Sequence, residues 1–372
     1  MVLDFLSLAP DQQDLLTTLP FDGHHLVTGP PGSGKSVLAV QRAVILALTG
    51  EPVTLLTRSN LLRQSLEPLA AALGPDQGLE VSTVHRWLHS WHREGTGRPA
   101  PQTDDGWFDW AAVMLHAASR PPAGRPFLVI DEGQDLPVDF YRLCLLIAAR
   151  TTVFADECQR ITDIQCTLAE IGTTLAGSIR HDLTVTHRTS RQVAALANHF
   201  HVGKNPPRLP DRQGPVPSLH RYDNAQRVTE HIVEYARAHS DRRIGVIFRH
   251  TRHQMDLVAR LERRLPSTRL QAYVGESTGR YRTLDLARPG VTVLNRASAK
   301  GLDFDAVFVP DTHLDAGEDP TGAGVRMLYY VLITRARTQL FLGYAGETEP
   351  PLLSGVPATD LVRDQVRTTI AS

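Results

Sequence analysis

The chain has 372 residues, a formal net charge of −1 and three cysteines. This length can bury a sizeable core without disulfide or metal staples, and it predicts about two domains. A net charge near zero argues against a protein that attracts nucleic acid through bulk positive charge. An odd number of cysteines with no C-x-x-C pair argues against a disulfide framework or a zinc site. The N-terminus is acidic where a signal peptide is basic, and no apolar run reaches spanning length, so we expect no membrane association and a cytoplasmic location.

The charge is distributed unevenly. Residues 1–180 hold 13 Lys and Arg against 20 Asp and Glu, and residues 181–372 hold 26 against 20, so the two parts carry about −7 and +6. The C-terminal half could therefore still carry a local basic surface that binds nucleic acid. Lysine is rare, and two of its three positions, Lys35 and Lys300, lie in recognisable motifs.

Short runs rich in Val, Ile and Leu alternate with amphipathic segments of helix length. This pattern is typical of parallel strands joined by helical crossovers, so the sequence predicts an α/β fold. The strands predicted in the first half are His24–Thr28, Val53–Thr57, Leu79–Thr83, Phe127–Ile130 and Thr152–Ala155. Those predicted in the second half are Leu183–Thr186, Ile244–Phe248, Val291–Leu294, Ala306–Val309 and Leu340–Gly343.

Each half is large enough for one doubly wound sheet. We expect an N-terminal domain at residues 1–180, with a short helical insertion near residues 87–125, and a C-terminal domain at residues 181–345. Residues 346–372 are predicted to form a tail with one short helix that starts near Thr359.

A nucleotide-binding motif follows the first predicted strand. The segment GPPGSGKS fits G-x-x-x-x-G-K-[ST] and leads into the helical pattern SVLAVQRAVILAL. Glycines let backbone N–H groups wrap phosphates at a helix N-terminus, while the lysine adds a point charge and the serine hydroxyl a ligand for Mg²⁺. The predicted phosphate-binding residues are Gly29, Pro30, Pro31, Gly32, Ser33, Gly34, Lys35 and Ser36.

Two adjacent acids end a later apolar strand, in the segment FLVIDEGQD. Asp131 is predicted to hold the Mg²⁺ with Ser36, and Glu132 to orient and activate the attacking water. A nucleotide kinase would need no such base. The sequence thus predicts a P-loop ATPase that uses ATP and Mg²⁺.

Further segments stand in a fixed order along the chain: APDQQDLL, TLLTRSNLLRQ, VSTVHRWL, DEGQD, ADECQRI, THRTSRQVAALAN, SAKGLDF and RMLYYVLITRAR. In content and order they resemble the motifs of superfamily 1 helicases of the UvrD and Rep type. The resemblance covers most of the chain. It implies two RecA-like domains with ATP in the cleft between them, and movement along single-stranded DNA from 3′ to 5′.

The resemblance also implies roles for single residues at the nucleotide. Gln12 would read adenine and Gln159 would sense the γ-phosphate. Arg188 and Arg335 would be arginine fingers, which are worth on the order of 10³ to 10⁵ in rate.

Three further positions match the family's contacts to base and sugar. His187 takes the place of a tyrosine that stacks on the base. Gly301 and Asp303 lie in the SAKGLDF segment, where Asp303 replaces a glutamate that contacts the ribose.

The nucleic-acid contacts depart from the family pattern. Arg58, Asn60, His85 and Lys300 are the candidate contacts. However, Arg58, Thr162, Ile164 and Ala297 stand where the family has Phe, Tyr, Trp and His. Stacking is worth roughly 1 to 3 kcal/mol per base, so their loss would remove several kcal/mol from strand binding.

The insertions that help the family split duplexes are short at residues 87–125 and absent at residues 275–290. The sequence therefore predicts a minimal superfamily 1 motor ATPase that acts on single-stranded DNA or RNA within a larger complex, with a protein partner. The alternative is an ATP-driven switch that has lost strand tracking and regulates a protein partner.

Overall fold

The computed structural model describes residues 5–74, 78–119, 125–156, 166–203, 205–275 and 281–365. The chain divides into two compact units, Met1–Val185 and Thr186–Ser372, which are called unit 1 and unit 2 below. The division falls shortly after the seam that the sequence places near residue 180.

Unit 1 alternates helices and strands along the chain. Its helices are α1 (Pro10–Thr18), α2 (Lys35–Ala47), α3 (Asn60–Leu73), α4 (Val84–Thr96), α5 (Trp110–Ser119), α6 (Val138–Ile147) and α7 (Leu168–Thr174). Its strands are β1 (His24–Thr28), β2 (Val53–Thr57), β3 (Leu79–Thr83), β4 (Phe127–Ile130), β5 (Arg150–Ala155) and β6 (Ile179–Asp182).

In the described part of unit 1, six strands form one sheet in the order β3-β2-β4-β5-β1-β6, and every pairing is parallel. The central strand β4 is buried on both faces, which is why it reads as an unbroken apolar run. Leu128 and Ile130 face a core formed with α4 to α7, whereas Phe127 and Val129 face a core formed with α1 to α3. Helices therefore cover both faces of the sheet.

Short polar side chains start several of these helices. The Ser59 hydroxyl accepts a hydrogen bond from Leu62 N at the start of α3, and the Thr83 hydroxyl accepts one from Arg86 N at the start of α4. Each cap satisfies a backbone donor that the helix cannot use internally, which fixes where the helix begins after its strand.

Unit 2 also alternates helices and strands along the chain. Its helices are α8 (Arg191–Asn198), α9 (Ala225–Ala238), α10 (Thr251–Leu261), α11 (Arg296–Ala299), α12 (Ala323–Ile333) and α13 (Pro351–Ser354). Its strands are β7 (Ser218–Arg221), β8 (Arg243–Phe248), β9 (Leu270–Ala272), β10 (Gly290–Asn295), β11 (Phe304–Val309), β12 (Ala336–Tyr344) and β13 (Val362–Gln365).

The described strands of unit 2 form a parallel sheet in the order β13-β7-β12-β11-β8-β10-β9. One core joins α9 and α10 to alternate residues of the strands, such as Val246 on β8 and Phe308 on β11. Helices α8 and α12 contact each other and β12. The predicted fold class is confirmed: both units are α/β, with parallel sheets flanked by helices, consistent with two RecA-like domains.

Two local predictions are wrong. Leu183–Thr186 is not a strand, and the strand in this region is β6, four residues earlier at the edge of the unit 1 sheet. No helix starts near Thr359 in the described residues, and the segment predicted as a tail instead adds β13 beside β7. Both strands are polar edge strands (IRHD and VRDQ), so they lack the apolar run on which the predictions relied.

Within the described ranges, none of the helices combines the length and the apolar character needed to cross a membrane.

Candidate nucleotide and nucleic-acid site

The phosphate-binding loop connects β1 to α2 in unit 1. Gly32 and Gly34 have φ angles of 82° and 91°, values that favour glycine. A Cβ on Gly34 would also lie only 2.3 Å from Gln12 Nε2. Backbone conformation and space therefore both require the motif's glycine at position 34.

Gln12 lies on α1 and is buried against this loop. Its Nε2 donates to Ser33 O at 2.8 Å, and its Oε1 accepts from Ala9 N at 3.0 Å. The side chain thus braces the loop in this structure. Its reading of adenine stays a prediction.

Lys35 begins α2, and its ammonium group is buried inside the loop. Its Nζ donates to Gly29 O at 2.6 Å, to Pro30 O at 2.9 Å and to Asp156 Oδ2 at 3.2 Å. Asp156 is 3% exposed and Lys35 6%. The loop therefore holds a buried cation whose donors can be given to a phosphate oxygen.

Asp131 follows β4 directly and is 1% exposed. Neither carboxylate oxygen accepts a hydrogen bond of normal geometry among the described residues, although the Ser36 hydroxyl is near enough to lower the Asp131 pKa. Burial raises the pKa of Asp131 well above its ordinary value and the Glu132 charge adds to this, while Ser36 and Lys35 offset part of it. A buried carboxylate that accepts no hydrogen bond of normal geometry, beside a serine hydroxyl, fits a divalent cation, so the residues present suit Mg²⁺.

Glu132 is the non-glycine residue with a left-handed backbone in the described ranges, with a φ of 55°. Such a conformation costs about 1 to 3 kcal/mol and is found where function constrains the chain. Gln134 Nε2 donates to Glu132 Oε2, and Gln134 Oε1 accepts from Asp156 N at 2.9 Å. Gln134 therefore links the candidate base to Asp156, the partner of Lys35.

Gln159, Thr162 and Ile164 lie outside the described residues. They are the predicted γ-phosphate sensor and two of the altered nucleic-acid positions, and their roles stay predictions.

In unit 2, Asp303 forms ion pairs with three arginines. Its carboxylate lies 3.0 Å from Arg188 Nε, 3.1 Å from Arg243 Nη2 and 3.0 Å from Arg337 Nε. Burial alone would raise the pKa of Asp303, but the charges of Arg188, Arg337 and Arg243 outweigh burial and hold the pKa far below its usual range. These four residues are called the Asp303 cluster below.

The remaining unit 2 candidates differ in exposure. His187 is exposed, and Lys300 and Gly301 are half-buried after α11, with Gly301 at a φ of 78°. Arg335 is 1% exposed, so the predicted second finger is enclosed within unit 2 in this structure.

The nucleic-acid candidates of unit 1 contact the remnant insertion. The Arg58 guanidinium lies over the Trp107 ring at 5.2 Å, and its Nη1 donates to Asp135 O at 3.4 Å. The His85 ring lies 5.0 Å from that of Trp107. Burial lowers the pKa of His85, and the nearby Arg58 charge lowers it further, although a bond to Gly106 O opposes this.

Asn60 stands at the start of α3, where its Oδ1 accepts a hydrogen bond from Arg63 Nε at 3.3 Å. The residue is half-buried. Its amide is therefore committed in part to its own helix.

Sequence reasoning missed Trp107, Gln134 and Asp156. Asp156 follows β5 as Asp131 follows β4, and the two strands are parallel neighbours, so their shared edge could have indicated it. Trp107 gave no signal, because it comes from a segment that departs from the family pattern.

No protein-family model matches the chain. No curated protein matches it either. Three similar solved structures are a possible DNA helicase's C-terminal domain from Lactobacillus plantarum WCFS1 and the arterivirus nonstructural protein 10 helicase alone and with DNA. The first is 21% identical, with a TM-score of 0.37, and matches 48% of this chain and 99% of its own.

The two arterivirus structures are 13% and 14% identical, with TM-scores of 0.40 and 0.41. Each matches 90% of this chain, which spans 61% and 62% of their length. Helicase domains are thus among the structures this fold is similar to. All three TM-scores are below 0.5, so these likenesses do not indicate a function.

Proposed function

We propose that the chain hydrolyses ATP with Mg²⁺ and acts on single-stranded nucleic acid as a UvrD-like superfamily 1 motor. DNA is favoured over RNA, and the protein would work in the cytoplasm within a larger complex. One observation carries the ATPase proposal: a buried lysine, a buried aspartate that accepts no hydrogen bond of normal geometry among the described residues, and a glutamate with a left-handed backbone lie at one edge of the unit 1 sheet.

The roles follow from the chemistry of each group. Backbone N–H groups of residues 29–36 and the Lys35 ammonium would bind the phosphates, and Gln12 would support the loop while it reads the base. Ser36 and Asp131 would hold Mg²⁺. When bound, the ion would neutralise charge on the phosphates.

Glu132 would take the proton of the attacking water. Its backbone strain and its bond from Gln134 fix the carboxylate direction, which supports a positioned base better than a surface acid. Gln159 would sense the terminal phosphate, and Arg188 would neutralise charge that develops on it.

On the unit 2 side, His187 is exposed and can stack on a base, and Asp303 would contact the ribose as the family glutamate does. Gly301 at a positive φ allows close approach of the backbone to a ligand. Arg58, Asn60, His85 and Lys300 would contact the strand.

The direct experiment is steady-state ATP hydrolysis by the full chain with no nucleic acid, with single-stranded DNA, with single-stranded RNA and with blunt duplex. We expect stimulation by single strands, more by DNA than by RNA. Equal rates in all four conditions would contradict the motor and leave an ATPase of another kind.

A second candidate, an ATP-driven switch acting on a protein partner, is favoured by one contact. Arg58, which should face phosphate, lies over Trp107, and that indole is 5% exposed and packed in the core. A strand would have to compete with this contact. Nucleotide-dependent binding of a protein partner, with no effect of single strands on ATP turnover, would support the switch.

A further inference from the structure

Arg335, the residue that the resemblance assigns as the second finger, is committed to holding unit 2 together. Its Nε donates to Val331 O at 2.9 Å, its Nη1 to Leu302 O at 3.0 Å and its Nη2 to the Thr334 hydroxyl at 3.2 Å. These bonds tie the end of α12 to the turn before β11. Withdrawing this side chain would take the Arg335 donor from the carbonyl of the buried Leu302, which is costly, whereas Val331 O would keep its hydrogen bond from the Thr334 hydroxyl.

Arg337, two residues later on β12, is in a different position. It is 38% exposed, and its Nε lies 3.0 Å from Asp303 Oδ1. That nitrogen makes no hydrogen bond of normal geometry within the described residues. Charge attraction therefore holds this guanidinium through its buried Nε, and its outer nitrogens can turn to another anion.

The Asp303 cluster carries more positive than negative charge. Three guanidiniums share one carboxylate, and Asp305 adds one further acid at 3.8 Å from Arg243 Nε. Arg243 is also anchored through Nη1 to Leu286 O at 3.2 Å. Arg188 and Arg337 are thus the two cations whose charge Asp303 balances only in part.

The backbone around these two arginines is braced. Ser190 N donates to Arg337 O at 2.8 Å, and Arg212 donates to Arg188 O and to the Thr338 hydroxyl. The segment that carries Arg188 and the start of β12 are therefore linked. Such bracing keeps two like-charged groups side by side, as a site for an oxyanion requires.

We propose that Arg188 and Arg337, held by Asp303, form the phosphate-binding pair of unit 2, and that Arg337 takes the role the resemblance gives to Arg335. The inference rests on the proposed ATPase function and concerns the terminal phosphate of the nucleoside triphosphate. Arg335 is a positioning residue that fixes α12 against the loop of Asp303.

The test compares Arg337→Ala, Arg337→Lys and Arg335→Lys with the wild-type full chain. Turnover of ATP is measured without nucleic acid, affinity is measured with a fluorescent ATP analogue, and Tm is measured by calorimetry. Arg221→Ala, an exposed arginine on β7, is the matched control. Both Arg337 variants should lose about 10²-fold or more in kcat, because a lysine cannot replace a guanidinium fork. Their affinity for the analogue should change less than about threefold and Tm should hardly move.

Arg335→Lys should lower Tm clearly while keeping more turnover per folded molecule than Arg337→Lys. Wild-type turnover in Arg337→Ala would overturn the proposal. A folded Arg335→Lys without activity beside an active Arg337→Lys would return the role to Arg335.

Arg337→Ala could instead bind single-stranded DNA more weakly while its ATP turnover without nucleic acid stays normal. That result would mean that the Asp303 cluster binds strand phosphates, and it would also overturn the assignment. Failure of the underlying function looks different: wild type and Lys35→Ala would then hydrolyse ATP equally.

Discussion

Buried charged side chains lie together at the P-loop of unit 1. The placement of Lys35, Ser36, Asp131 and Glu132 at the ends of buried strands could be predicted, because their spacing around a strand end is itself the signal, while their roles stay predictions. The contacts of Asp156 and Gln134 could not be predicted. Neither the motif sequence nor the hydrophobic periodicity shows which buried acid pairs with Lys35.

Glu132→Gln should keep nucleotide binding and block hydrolysis. Gln preserves the size of the side chain and can still meet Gln134, but it cannot accept the proton of water. We expect single-turnover hydrolysis to fall by about 10² to 10⁴-fold, with analogue affinity nearly unchanged. Asp139→Asn, a partly exposed acid on α6, serves as the control. Near-normal turnover in Glu132→Gln would remove the base assignment.

His220 on β7 should make the protein lose stability in mild acid. It is 5% exposed, and burial, with the nearby His231, lowers its pKa to about 4. The folded-state pKa lies below the unfolded value, so the neutral ring's contribution is complete above about pH 6.5 and is lost as pH falls toward 4. In this window the free energy of unfolding should fall by about 3 kcal/mol on account of this group.

The measurement is urea unfolding of wild type, His220→Gln and the exposed control His250→Gln at pH 7 and pH 4. The loss of unfolding free energy between pH 7 and pH 4 should be smaller in His220→Gln than in the wild type. In His250→Gln it should equal that of the wild type. A wild-type pH dependence retained by His220→Gln would rule out the assignment.

At the element scale, burial decides what can be predicted from sequence. Strands β1 to β4 match their predicted bounds, and for the central strands β2 and β4 the reason is that they are buried along their whole length. The polar edge strands β6 and β13 escape the same reasoning, since hydrogen bonding to a neighbour rather than burial of a run defines them. β9, with three residues, is too short for periodicity to register.

Arg58, at the end of β2, should contribute one phosphate contact. Because its pairing with Trp107 is a partly buried cation–π contact, the loss of Arg58 removes charge without removing the indole. Arg58→Ala should weaken binding of a dT oligonucleotide and lower the salt slope of the binding constant by about 0.7. Arg142→Ala, an exposed arginine on α6, should not. An unchanged slope in Arg58→Ala would exclude the contact.

The whole molecule carries its charge in two unlike halves, about −7 before residue 181 and +6 after it. That distribution supports nucleic-acid or phosphate binding by local surfaces and not by bulk attraction. The fold class and the P-loop could be derived from sequence, because apolar runs and motif spacing are visible there, while the burial of each arginine could not. Burial of Arg335 and exposure of Arg337 depend on tertiary packing.

The isolated chain should not unwind a tailed duplex at a useful rate, even where single strands stimulate its ATPase. Only α4, α5 and the segment between them stand, among the described residues, where the family inserts a duplex-engaging subdomain. Base pairing resists by roughly 1.4 kcal/mol per step, so a motor with few strand contacts slips. Strand displacement with a 3′ single-stranded tail measures this. ATP-dependent release that is lost in Lys35→Ala would show that the minimal scaffold suffices.

In the proposed function, the unit 1 site hydrolyses ATP with the help of Lys35. The most direct measurement is release of phosphate from ATP by the purified full chain, with and without Mg²⁺, for wild type and Lys35→Ala. We expect Mg²⁺-dependent hydrolysis by the wild type and background release by Lys35→Ala, because that buried ammonium is the cation the loop offers to phosphate. Equal release by the two proteins, or none by either, would contradict the account.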